Sequence, residues 1–186
     1  LCEKPFSSHP QEVADAFDVA DRTGLVLSEA FMWRHNPQTK KLAELVAGGA
    51  VGELRLIRST FSYALFDADN IRLRTDVEGG ALMDVGCYCI SGSRLLGGEP
   101  IAATGRQYTG PSGTDWLFTG ILEFPNDVLA TFDCATCLTS RDELEAVGTE
   151  GSLFLDDPWH ANTPVIEVRR DGKVVDRIEI DYQNSY

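Results

Sequence analysis

Residues 115–140, DWLFTGILEFPNDVLATFDCATCLTS, decide the fold. Two runs rich in aromatic, aliphatic and β-branched residues are parted by PND at 125–127, a turn signal that sends one strand back alongside the other. Outward from this stretch the pattern repeats. IAATGRQYTG precedes it at 101–110, and DELEAVGT, GSLFLDD, PVIEVRR and KVVDRIEID follow between 142 and 181, the last two split by DG at 171–172. The second half therefore predicts a large, mostly antiparallel sheet. Within DWLFTGILEF, Trp116, Phe118, Gly120, Leu122 and Phe124 alternate with Leu117, Thr119 and Ile121, which is apolar on both sides. One face should pack on helices and the other on a second subunit, so a homo-oligomer joined through the sheet is expected.

The first half reads differently. HPQEVADAFDVADRT at 9–23 sets Val13, Phe17 and Ala20 along one helical face, with Pro10 suited to a first turn and Gly24 to a stop. LVLSEAF at 25–31 reads as a strand, and Leu1 and Cys2 as the end of another, so a βαβ unit with a parallel pairing is expected. Asn36 is a candidate N-cap and Pro37 a first helical residue for the helix that runs through TKKLAELVA. ELRLIRSTFSYALF at 53–66 is strand-like, and GGALMDVGCYCISGSRLLGG at 79–98 reads as a helix between paired glycines. The fold class is α+β: a large, mostly antiparallel sheet with helices on one face over residues 33–186, preceded over residues 1–32 by the last βαβ unit of a larger α/β domain.

Composition narrows the functions. Sixteen Lys and Arg against 29 Asp and Glu give a net charge of −13, which repels nucleic acid and anionic membranes. No apolar run approaches the ~20 residues of a membrane span. A cytoplasmic location is expected. The five cysteines, Cys2, Cys87, Cys89, Cys134 and Cys137, suit a reducing compartment. Their C-x-C and C-x-x-C spacings could supply zinc ligands, but small buried core residues are the reading preferred, and no metal is expected.

Three clusters carry chemistry: Glu3-Lys4-Pro5, Trp33-Arg34-His35-Asn36-Pro37-Gln38, and Asp84 with Tyr88. The first two follow strands of a parallel unit and so belong to one rim. Asp84 and Tyr88, four apart on a helix, share a face. A cation, an acid and a phenol that meet in one pocket suit proton transfer from an alcohol, because an ammonium near a phenol favours the phenolate. The bland readings are a surface lysine in a turn, a core tyrosine, and an aspartate paired with Arg34 or Arg94.

LCEKPFS, FMWRHNPQ, GGALMDVGCY and GTEGSL, in this order, resemble the glucose-fructose oxidoreductase, inositol dehydrogenase and rhizopine catabolism family (Gfo/Idh/MocA) from Leu1 to about residue 153. The resemblance implies that residues 1–32 are the end of a Rossmann-type dinucleotide-binding domain and 33–186 a substrate-binding and oligomerisation domain. It implies catalytic Lys4, Asp84 and Tyr88, cofactor contacts from Glu3, Lys4 and Pro5, and weaker substrate-binding candidates in Arg34 and Asn36. Tyrosine at position 88 resembles the branch of NADP-linked xylose and dihydrodiol dehydrogenases; Cys89 stands where that branch commonly has proline, so the helix should continue regularly. The expected activity is hydride transfer between NAD or NADP and a secondary alcohol or lactol of a sugar, polyol or dihydrodiol. The glycine-rich phosphate-binding fingerprint is absent from these residues, which places the main cofactor site upstream and predicts that this chain alone is inactive. The alternative is a non-catalytic binding or assembly module of the same fold.

Overall fold

The computed structural model describes residues 1–67 and 69–185. An N-terminal unit comprises β1 (Cys2–Glu3), α1 (Pro10–Thr23) and β2 (Glu29–Ala30), with β1 and β2 paired in parallel. The βαβ order is as expected. β2, however, is confined to two residues of the 25–31 run, and Leu25 and Val26 are exposed, because among the described residues no further strand borders them to extend the ladder.

After α2 (Pro37–Ala47) come β3 (Leu54–Ala64), α3 (Cys87–Gly97), β4 (Ala102–Thr109), β5 (Asp115–Phe124), β6 (Val128–Ala135), β7 (Cys137–Gly148), β8 (Ser152–Leu155), β9 (Val165–Arg170) and β10 (Lys173–Glu179). These strands form one eight-stranded sheet, ordered β10-β9-β8-β7-β3-β6-β5-β4. Every pairing is antiparallel except that of β3 with β6. The DWLFTGILEF and VLATFDCA runs pair across the PND turn as read. The expected single run 128–140 breaks at Thr136, because β6 and β7 flank opposite edges of β3. At the corner the Thr136 N–H donates to the Trp116 carbonyl and its own carbonyl accepts from Leu65. Cys134 and Cys137 therefore belong to different strands.

The helices cover one face. A row of Gly120, Phe132, Ser59, Leu144 and Leu155 crosses the sheet beneath them and is buried throughout. Trp33 and Trp159, both fully buried, meet edge to face at 5.0 Å and join the loops flanking the helices to this core. Side chains of this kind dominate core energetics through the area they remove from water. The other face corrects the expectation of an apolar underside. Its row runs Ile121, Thr131, Arg58, Glu145, Phe154, Glu167 and Arg177. Arg58 and Arg169 pair with Glu145 at 3.5 and 3.7 Å, and Arg141 pairs with Asp133. The apolar alternation of β5 is local to that strand; its neighbours supply charge.

Candidate active site

The paired glycines at 79 and 80 let the helix of residues 81–97 begin where it does. A Cβ on Gly79 would lie 2.5 Å from the Arg72 carbonyl oxygen, and one on Gly80, whose φ is 139°, would overlap the Asp115 carboxylate. Glycine alone allows that approach. Asp115 then accepts the Leu82 N–H at 2.7 Å, satisfying a donor of the first turn. Next comes a departure from the regular helix that was expected: residues Leu82–Gly86 form a π-helical turn, in which the Cys87 N–H reaches back to the Leu82 carbonyl. Beyond it α3 is regular through Gly97, as cysteine in place of proline at position 89 suggested.

Asp84 sits in that wider turn and Tyr88 one step into α3. Lys4 Nζ donates to the Asp84 carbonyl at 2.6 Å and to its Oδ1 at 3.2 Å. Arg72 Nε donates to the same Oδ1 at 2.9 Å, and the Tyr63 hydroxyl to Oδ2 at 2.6 Å. Burial alone would raise the Asp84 pKa, but the Tyr63 hydrogen bond and the Lys4 and Arg72 charges outweigh it and hold the carboxyl below the usual range. Burial and the adjacent carboxylate push the Tyr63 phenol up, so it stays a donor. Lys4 Nζ also stands 4.9 Å from the centroid of the Tyr88 ring. That ring is wedged among Phe31, Phe61 and Trp159 at 5.1, 5.3 and 5.9 Å, with its hydroxyl 3.7 Å from Met32 Sδ.

Lys4, Asp84 and Tyr88 are thus brought together, as their residue types suggested. Two clefts meet at Lys4 and Asp84. One, of about 440 Å³, is bordered by Lys4, Phe61, Tyr63, Asp84, Tyr88, Ser140 and His160. The other, of about 600 Å³, shares Lys4, Arg72 and Asp84 and extends along Glu3, Pro5, Ile71, Val77 and Met83. Arg34 and Asn36 lie in neither. The Arg34 guanidinium is held by Ser91 Oγ and the Ser91 carbonyl, both at 2.9 Å, in a separate hollow beside α3; burial and Arg94 lower its pKa. Asn36 caps α2 by accepting the Gln38 N–H at 2.9 Å, and its amide donates to the Gln183 carbonyl and Ser185 Oγ. Its capping role was legible; its bond to the C-terminal segment was not. Tyr63 and Arg72 were missed. Tyr63 could have been found by its alternation with Ile57 and Phe61 on the inward side of β3, whereas Arg72 lies in a 3-10 turn of three residues, Ile71–Leu73, too short to show a pattern.

Burial pushes the Cys87 thiol up to about 12 and those of Cys89 and Cys134 higher still, as the reading of them as core residues implies. Among the described residues, metal-ligand types converge at Asp142, Asp157 and His160. There the oxygens are already engaged: Asp157 accepts the Ala161 and Thr163 N–H groups at 3.0 and 3.1 Å, and Asp142 Oδ2 lies 2.8 Å from His160 Nδ1. No helix among the described residues is long and apolar enough to cross a membrane.

Comparison with known proteins bears on this geometry. Residues 39–154 match the model of the GFO/IDH/MocA C-terminal domain. The chain is 36% identical over 181 residues to D-xylose 1-dehydrogenase (NADP(+)) 2 of Haloferax volcanii, covering 94% of this chain and 55% of that protein. It is 33% identical over 172 residues to the trans-1,2-dihydrobenzene-1,2-diol dehydrogenase of Bos taurus, covering 89% and 50%. The fold matches that of KijD10, a 3-ketoreductase from Actinomadura kijaniata solved with NADP and TDP-benzene, with a TM-score of 0.89 and 26% identity over all of this chain and 58% of that one. The chain spans about half the length of the curated relatives it matches.

Proposed function

This chain belongs to the GFO/IDH/MocA family, and from that premise we propose that the full-length protein is an NAD(P)-dependent oxidoreductase acting on a secondary alcohol or lactol of a sugar, polyol or dihydrodiol. The observation that carries the reading is the Lys4–Asp84 pair, set over the Tyr88 ring where two clefts meet. One cleft suits a flat ring: Pro5, Ile71, Val77 and Met83 supply apolar walls next to the Lys4 ammonium. Glu3, Lys4 and Pro5 would border a nicotinamide there, and that group, as NAD or NADP, would supply the acceptor or donor of hydride. The other cleft would take the alcohol.

In oxidation the carbinol carbon gives up hydride while its oxygen gives up a proton. Tyr88 is the general base for that proton and, in the reverse direction, the acid that returns it. Lys4 stabilises negative charge on the phenol and on the developing alkoxide, in a partly desolvated setting where a fixed charge counts for more than in water. Asp84 holds Lys4 by two contacts and is itself held by Tyr63 and Arg72, so the ammonium is positioned before substrate arrives.

The β1–α1–β2 unit is assigned to the end of a Rossmann-type domain, with residues 33–186 as the substrate domain. Supporting this, Phe17, Val19, Leu25 and Val26 are exposed apolar residues of a unit whose sheet has two strands, and a wider sheet would cover them. The open face of the eight-stranded sheet is the surface proposed for self-association.

The test is turnover by full-length protein of an aldose, polyol and diol panel with NAD+ or NADP+, followed by the absorbance of reduced nicotinamide. Turnover with at least one substrate is expected. Cofactor binding without turnover of any member would overturn the dehydrogenase reading in favour of a binding or assembly module.

A further inference from the structure

The cleft beside Tyr88 has a second polar group to which the mechanism above gives no part. His160 projects into it from the loop between β8 and β9. That loop is firmly built without His160. Trp159 is fully buried and donates its indole N–H to the Thr60 carbonyl at 3.1 Å, and Asp157 gathers the backbone N–H groups of Ala161 and Thr163. The imidazole is nevertheless held to one orientation. Its Nδ1 lies 2.8 Å from Asp142 Oδ2, and its ring stands edge-on to Phe61 at 5.6 Å.

Asp142 comes from the helix-covered face of β7, in the same row as Phe61. A carboxylate in that place is costly unless paired. Burial raises the Asp142 pKa, and its hydrogen bond raises that of His160. With Nδ1 bonded to the carboxylate, Nε2 is the ring atom left for a ligand, and among the described residues none donates to it or accepts from it. His160 is also 44% exposed at the side chain, unlike its buried neighbour Trp159.

Phe61 stands between the two groups, 5.3 Å from the Tyr88 ring and 5.6 Å from that of His160. An aromatic surface flanked by polar groups suits a polyhydroxylated ring, which packs its C–H face on the aromatic and hands hydroxyls to the sides. Resting on the reading of the site as a sugar or polyol oxidoreductase, we propose that His160, oriented by Asp142, binds a substrate hydroxyl other than the reacting one through Nε2. It thereby selects which carbon faces Lys4 and Tyr88.

The experiment uses full-length protein with NADP+ and NAD+, D-xylose, D-glucose and D-galactose, and their monodeoxy analogues. His160→Phe should raise KM by roughly 10- to 100-fold with kcat changed by less than about 3-fold, since an interaction equal in ground and transition states moves KM. One monodeoxy sugar should show a similar loss with the wild type and almost no further loss with the variant. His160→Gln, which keeps a hydrogen-bonding end, should recover part of the loss and serves if the Phe variant does not fold. Unchanged KM in the variants, or a penalty that is the same for every deoxy sugar, would overturn the assignment of His160 while leaving the oxidoreductase reading intact. Absence of turnover by the wild type across the panel would overturn that reading, and this inference with it.

Discussion

The Lys4 ammonium stands over the Tyr88 ring, 4.9 Å from its centroid, while donating to both the carbonyl and the carboxylate of Asp84. Two segments eighty positions apart are fixed against each other by one side chain. The face of an aromatic ring attracts a cation, so Lys4 is positioned by the ring's π-face as well as by the aspartate.

Tyr88→Phe keeps that face and the packing on Phe31, Phe61 and Trp159, and removes only the hydroxyl. In full-length protein kcat should fall by at least ~100-fold with KM altered far less, and the melting temperature should hold. Lys4→Met should cost a comparable factor, and the double variant much less than the product of the two. An active but less stable Tyr88→Phe enzyme would identify a core tyrosine instead.

Asp84 gives a pH signature. Its folded pKa is depressed, so its contribution to stability is complete above the unfolded value, about 3.9, and is lost as pH falls through the folded value. Asp84→Asn should be less stable by about 2 kcal/mol at pH ~7; this is below the cost for a fully buried pair because Arg72 is 44% exposed. The gap between variant and wild type should narrow as pH falls below about 4 in denaturant titrations. A gap that stays constant over that range would mean the network does not hold the carboxylate ionised.

Gly80→Ala places a methyl against Asp115 and forces a residue with a side chain to φ 139°. A loss of at least about 1–3 kcal/mol is expected from the backbone conformation alone, which lowers the melting point by several degrees for a chain of this size. Activity should fall too, since Asp115 sets the start of the turn that carries Asp84. A variant as stable and active as wild type would show that the loop can yield.

The open face of the sheet carries Arg58, Arg141, Glu145 and Arg169 in place of a continuous apolar surface. Self-association through it should therefore weaken as salt rises, because exposed charge pairs are screened over about 10 Å at 0.1 M. Sedimentation velocity at low and high salt checks this. An oligomer insensitive to salt would place the contact elsewhere, and a strict monomer would remove the interface.

This chain as it stands should bind NAD(P) feebly and show no dehydrogenase activity, since no glycine-rich phosphate-binding turn lies within it. Calorimetry decides: tight binding would move the nucleotide site onto these residues.

Much of this was legible because local chemistry and tertiary structure agree. Turn residues set the hairpin at 125–127, Asn36 capped its helix, and the βαβ order fixed a parallel pairing. What stayed hidden depends on partners remote in sequence. The break at Thr136 follows from two strands flanking β3, which no alternation within 128–140 encodes. The charge on the open face belongs to strands paired only in the folded sheet. Arg34 was placed with the site because it follows a strand, yet Ser91 of α3 claims its guanidinium. Tyr63 and Arg72 reach Asp84 across 21 and 12 positions, distances at which side-chain meetings are set by the fold.

The π-helical turn at Leu82–Gly86 has a consequence for insertions and deletions. Substituting a residue there alters what a group can do; removing one alters where the groups of that turn stand. Because the wide turn fits one extra residue into a single winding, loss of one residue from it would let the segment close into ordinary α-helix while α3 and the residues before Leu82 keep their facing. Asp84, inside the turn, would be drawn off the Lys4 side with its chemistry untouched. The length of this short stretch is therefore under tighter constraint than the identity of most of its residues.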